Sequence, residues 1–425
     1  MKARVSTATG ARPPVITGIG VAAPTGVGVR AHWERTLERV GRISPVESFV
    51  AASLPYPPAG QIPDADFDAS DHVDSRLRVQ TDRWTWLALA AGRLAFADAG
   101  LDPQEHDPFE LSVVTASSSG GNVFGQREIH NLWKEGPHAV TAYQSIGWFY
   151  AASSGQLSIR DQLKGACGVL VADGAGGLDA LAQAGRLIRR GTGAVLVGGT
   201  EAPLSPYAMA CQAKQTTLSG DKDPATAYRP FAADSAGHVP GEGGALLVVE
   251  DAEWAERRGA PAPYARVLGT AATHDAHDPV LPAPGHRELA RALREAIARA
   301  GLTPAEIDVV FADAAGDREL DRRETDALVE VFGRRAVPVA VPKTATGRLN
   351  SGGAPLDLAW AALALTHDTI PPSVNLNPGQ DDDLDVVTTA REGAGLRTAL
   401  VVARGVGGFN SAAVLGLPEG GRRQI

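Results

Sequence analysis

Cysteine is almost missing from this 425-residue chain, which carries only Cys167 and Cys211. Two thiols cannot build a disulfide framework, and they fit a reducing, cytoplasmic setting. No stretch approaches the roughly eighteen consecutive apolar residues of a membrane-spanning helix. Met1–Thr9 has two basic residues but no apolar core, so it does not read as a signal peptide. Basic excess is missing as well: 40 Lys and Arg face 49 Asp and Glu, a formal charge of −9, which argues against a nucleic-acid partner. Aromatic residues are scarce at 5%, and no short-period tandem repeat is present.

What is abundant is glycine (48 residues) and an alternation of Ala-rich helical stretches with Val/Leu-rich runs. At 44% hydrophobic and 21% charged, the chain has the balance of a packed globule. Strands are expected at Val15–Ile19, Leu111–Thr115, Gly168–Ala172 (buried), Ala194–Val197 and Ala245–Val249. Helices are expected over Thr85–Gly100, about Val123 to Trp133, and roughly Gly176 to Arg190. The charged, Pro-containing stretch Glu250 to Pro263 reads as a boundary. Beyond it the theme repeats: helices at Arg287–Ala300, Asp321–Phe332 and Pro355–Leu365, with strands at Val309–Ala312 and Thr398–Ala403. Two similar α/β halves follow, 1–252 and 263–425, with an insertion near 117–160. The Asp381–Asp385 run is expected to be a solvated turn, and the His274/His277 pair a polar loop rather than a metal site.

Five segments, in order along nearly the whole chain, together resemble the β-ketoacyl-acyl-carrier-protein synthases of the thiolase fold. They are Val15–Gly20, Gly176–Ala180, Arg229–Phe231 with Gly241–Gly244, Lys343 with Gly347, and Gly407–Ser411. The resemblance implies a layered αβαβα core and no cofactor. Such enzymes form carbon–carbon bonds with a Cys at a helix N-terminus and two His that assist decarboxylation and stabilise the enolate or its oxyanion. Matched residue by residue, the Cys position falls on Gly174, the first His on Asp313 and the second on Arg348. Glycine cannot form a thioester, an ionised Asp only accepts hydrogen bonds, and Arg cannot act as a base near neutral pH.

The segments Ala175–Ala180, Val341–Thr344, Thr346–Leu349 and Trp148–Ala151 are similar to one branch of that family, the chain-length factors of type II polyketide synthases. This resemblance implies a non-catalytic subunit that pairs with an active ketosynthase and shapes the cavity for a poly-β-ketone carried on acyl carrier protein. Asn122, Gly125 and Ile129 share one helix face by their spacing. In the chain-length factors these positions, and that of Tyr207, line the end of the polyketide tunnel. The family usually has Gln where this chain has Gly174, so the decarboxylating role attached to that Gln is not expected here. Two other readings stand beside this one: a self-sufficient acyltransferase using Ser205 or Thr200, though a G-x-S-x-G elbow is absent, and a structural homodimer. Cys167 and Cys211 are expected as small buried hydrophobes. Asp313 is expected to hydrogen-bond near Arg348 rather than serve as an acid.

Overall fold

The computed structural model describes residues 12–46, 58–214, 217–280, 283–377, 379 and 381–424. Met1–Thr9 lies outside the described residues. In the first half the principal strands are β1 (Val15–Ala23), β2 (Leu111–Ala116), β3 (Cys167–Leu170), β4 (Ala194–Glu201) and β5 (Gly243–Glu250). They lie in the order β3-β2-β4-β5-β1. The β2 strand runs parallel to β3 and β4, whereas β5 is antiparallel to β4 and β1.

The second half supplies β6 (Ala265–His274), β7 (Val309–Phe311), β8 (Pro338–Ala340), β9 (Thr398–Gly405) and β10 (Phe409–Gly416). Their order, β8-β7-β9-β10-β6, and their directions repeat those of the first half. The half-sheets meet where β1 pairs with β6 through two residue pairs, Val15 with Arg266 and Ile16 with Ala265.

Eight helices matter here: α1 (Arg83–Asp98), α2 (Asn122–Glu135), α3 (Ala152–Asp161), α4 (Gly176–Ile188), α5 (Pro206–Gln212), α6 (Arg287–Arg299), α7 (Arg318–Phe332) and α8 (Gly353–His367). The α4 helix packs on β2 and β4 and also reaches β6, while α8 packs on β5, β9 and α4. Both therefore lie between the half-sheets. Every residue of α8 from Ala354 to Thr366 is buried, as expected of a helix apolar on all sides. Outside, α1 covers β1 and β5, and α6 covers β6 and β10 with α7 beside it. This is the layered thiolase-like arrangement of two α/β halves. Gly20 allows it at one point, because a Cβ there would run into the carbonyl oxygen of Ala91 on α1.

Three expectations are corrected. The strand expected at Gly168–Ala172 is β3, and it is half-exposed because, among the described residues, it ends the sheet with a partner on one side only. Cys167 on that edge and Cys211 on α5 are both exposed, not buried. The Asp381–Asp385 run is more than a solvated turn: Asp381 Oδ1 accepts from the backbone N–H groups of Asp383 (2.7 Å) and Leu384 (3.0 Å). Leu384 is buried, and Asp385 begins a two-residue strand beside β8. Among the described residues no helix is long and apolar enough to cross a membrane.

Candidate functional site

Gly174, Asp313 and Arg348 come from three separate strand exits and meet beneath the N-terminus of α4. Gly174 sits in a short 3-10 turn, Asp173–Ala175, that leads from β3 into that helix. A Cβ at Gly174 would lie 2.5 Å from the carbonyl oxygen of Arg404 and 3.6 Å from Nη2 of Arg348. The end of β9 has thus closed over the glycine. Asp173 helps to hold it there, its Oδ2 accepting from the Val406 N–H at 2.8 Å.

Arg348 and Asp313 form a two-pronged ion pair, Nη2 to Oδ1 at 3.0 Å and Nη1 to Oδ2 at 3.2 Å. Nη1 also donates to the carbonyls of Asp313 (2.6 Å) and Ala314 (3.1 Å). The Arg404 N–H donates to Asp313 Oδ1 at 3.0 Å. Lys343 is bonded to Asp357 of α8 at 2.6 Å and to the Asp313 carbonyl at 3.2 Å. Burial pulls the Asp313 carboxyl upward, but the charges of Arg348, Lys343 and Arg404 outweigh it and hold it below the usual carboxylate range. Burial lowers Arg348, yet Asp313 more than offsets this and keeps the guanidinium charged. Burial also takes Asp357 up to about 6 against the pull of Lys343.

The space among Gly174, Asp313, Arg348, Asp357, Trp360 and Ala403 amounts to about 20 Å³. A single water needs roughly 10–15 Å³ on that measure, so the space holds about one water. Of the alternative nucleophiles, Thr200 is buried and donates to the Trp84 carbonyl at 2.8 Å. Ser205 caps α5, accepting from the Ala208 N–H at 3.2 Å. Among the described residues neither hydroxyl is bonded to a His or carboxylate that could serve as its base.

The other group of expected residues lies on and beside α2. Asn122 is buried and turns back on its own loop, donating to the carbonyls of Ser119 (3.3 Å) and Gly120 (3.1 Å). Gly125 is buried beneath Trp148, and Ile129 is 43% exposed. Tyr207, 49% exposed, begins α5 beside α2, its N–H donating to Gln126 Oε1 at 2.8 Å.

With this geometry in place, the chain can be set beside known proteins. Residues 11–255 match the beta-ketoacyl synthase N-terminal domain, and residues 264–377 match the C-terminal domain. The chain belongs to the beta-ketoacyl synthase family. It is 47% identical over 406 residues to the tetracenomycin polyketide synthase ketoacyl synthase beta subunit of Streptomyces glaucescens, covering 95% of this chain and 98% of that one. Identity to the alpha subunit of the tetracenomycin synthase of that organism is 36% over 419 residues, with 95% and 97% covered. Among solved structures, the ishigamide ketosynthase/chain length factor superposes with a TM-score of 0.88 at 26% identity, covering 96% of this chain and 99% of that one. Within its family the chain therefore stands with the polyketide ketosynthase beta subunits, the chain-length factors.

In this beta-ketoacyl synthase the residues that sequence reasoning missed are those that brace the closed pocket. Glu324 of α7 accepts from the N–H groups of Asp313 (2.7 Å) and Ala314 (2.8 Å). Asp321, one turn earlier, accepts from Phe231 (2.9 Å) and Gly316 (3.0 Å). Burial, reinforced by Asp313, pushes Glu324 up to about 7. Asp321 is pushed by burial up to about 8. Buried Glu201 gathers Ser118, Ser119 and Ser351 around one carboxylate and so ties the start of the α2 segment to the turn before α8. Their spacing on a helix or strand was visible, but not the backbone donors they serve, which lie elsewhere in the chain.

Proposed function

We propose that this chain is the chain-length-setting beta subunit of a type II polyketide synthase, inactive in condensation alone. It pairs with an active ketosynthase and walls the tunnel in which the poly-β-ketone grows on acyl carrier protein. The closed pocket carries this reading: where the condensing Cys and two His would act stand Gly174, Asp313 and Arg348, knitted together around about 20 Å³. The named relatives support the pairing, one being the beta subunit and another the alpha subunit of the tetracenomycin synthase of one organism.

The surface supports it too. Trp133 (83% exposed), Phe149, Trp148, Ile129 and Tyr207 gather on or near α2, and among the described residues β3 leaves its outer edge unpaired. Exposed apolar surface of that kind and an open sheet edge each mark a protein interface. We place the division between the halves at 253–262, the tunnel wall on Asn122, Gly125, Ile129 and Tyr207, and the protein in the cytoplasm.

Co-expression with the cognate ketosynthase tests the reading. A 1:1 complex is expected, its activity abolished by removing the partner's Cys. A monodisperse monomer by light scattering in the partner's presence would refute the pairing. A covalent acyl adduct on this chain by intact-mass analysis would refute its inactivity.

A further inference from the structure

We infer that Trp148 is the side chain through which Gly125 sets product length, an assignment that rests on the tunnel wall proposed above. Gly125 has no side chain, yet it is buried, because the indole of Trp148 fills the space that one would take. A Cβ at Gly125 would lie 2.9 Å from Cδ1 of Trp148, 3.6 Å from Nε1 and 3.7 Å from Cγ.

The main chain beneath the indole is pinned. The Trp148 carbonyl accepts from the Gly121 N–H at 3.3 Å, and the Trp148 N–H donates to the Gln144 carbonyl at 3.4 Å. A Cβ at Gly120 would stand 2.7 Å from the Trp148 carbonyl oxygen, and one at Gly121 would collide with that of Gly147. Glu128 of α2 ties down the preceding loop as well, accepting from the Thr141 N–H at 2.6 Å. The indole itself is less enclosed. It is 45% exposed, and its ring neighbour Tyr150 lies 6.1 Å away between centroids.

A side chain added at position 125 has no room unless the indole turns aside, and the side on which it is exposed is the one the proposed tunnel wall presents to the growing chain. Removing the indole opens the wall over Gly125, and a cavity at that point lengthens the path for the chain terminus.

The test uses the heterodimer with its cognate ketosynthase and holo-acyl carrier protein, supplied with malonyl units, with products sized by mass spectrometry. Trp148→Ala is expected to shift the longest product by one or more two-carbon units, and Trp148→Phe to give a smaller shift the same way. Gly125→Ala is expected to shorten the product in the parent chain and to have no effect beside Trp148→Ala. Additive effects of the two substitutions would overturn the coupling. If Trp148→Ala disrupts pairing, Trp148→Phe decides, since it keeps an aromatic ring at the interface. Unchanged lengths from the Trp148 variants in an intact heterodimer overturn the inference; a shift by Tyr207→Ala in the same assay would leave the tunnel wall standing. No shift from Tyr207→Ala either would remove both.

Discussion

Replacing Arg348 with Ala asks whether the closed pocket is held by a buried charge pair. The Asp313 side chain is 4% exposed and that of Arg348 20%, so the pair is largely shielded from water. The substitution removes two hydrogen bonds to the carboxylate and two to carbonyls. The carbonyls remain served, that of Asp313 by Lys343 at 3.2 Å and that of Ala314 by the Tyr228 hydroxyl at 2.6 Å. The loss therefore falls on the carboxylate, which among the described residues keeps only the Arg404 N–H as a direct donor. Removing one partner of a buried pair typically destabilises by ~3–5 kcal/mol. The residual donor and the nearby Lys343 charge place this case at the lower end, about 3 kcal/mol.

Changing both residues, Arg348→Met with Asp313→Asn, removes the stranded charge and is expected to recover most of that loss, giving a coupling of roughly 2 kcal/mol. The pH dependence has a definite sign. In the parent chain Asp313 lies below the usual range, so its contribution is present above the unfolded-state value and is lost as pH falls through the folded one. Without Arg348 its pKa rises, so the deficit of Arg348→Ala relative to the parent should shrink between about pH 8 and about pH 5. Urea denaturation followed by circular dichroism, run on both proteins at each pH, measures it. A deficit under about 0.5 kcal/mol, or one that does not change with pH, would refute the account of the pocket as a buried-charge lock.

Other outcomes follow from the same geometry. Gly174→Cys should not restore condensation in a malonyl-transfer assay, and its Cβ, 2.5 Å from the Arg404 carbonyl, should lower stability by ~1–3 kcal/mol. Asn122→Phe with Ile129→Phe, or Gly125→Phe alone, should shorten the polyketide while the heterodimer persists in light scattering; an unchanged product from a well-folded complex would show that this face is mere packing. Asp321 and Glu324, raised to about 8 and about 7, stabilise the fold while protonated, a contribution lost as pH rises through those values. The urea midpoint should therefore fall from about pH 4, the unfolded-state carboxylate value, to about pH 8, and Asp321→Asn should flatten the fall.

Local pattern carried much of the architecture. The alternation of strand-length apolar runs with Ala-rich periodic stretches announced two α/β halves, because strand and helix periods are written in neighbouring residues. The stretch that forms α8 reads as apolar on every side, and burial between two half-sheets is what such a helix requires. That Gly174 offers no side chain for chemistry was likewise plain, since a missing side chain is a property of one position.

Tertiary structure decided what lies between distant positions. Cys167 is exposed because β3 ends its sheet, and a strand's number of neighbours is set by topology rather than by its own residues. Asp313 and Arg348 meet across 35 residues, and Arg404 joins them across 91. Glu324 and Asp321 look like ordinary surface acids on an amphipathic helix until the strand exit folds onto them. Gly125 reads as open space in the chain, yet it is filled by Trp148 from a segment that crosses it through closely packed glycines. Periodicity encodes which face of an element is apolar; which partner covers that face depends on contacts between residues far apart in sequence, and these form only when the halves pack together.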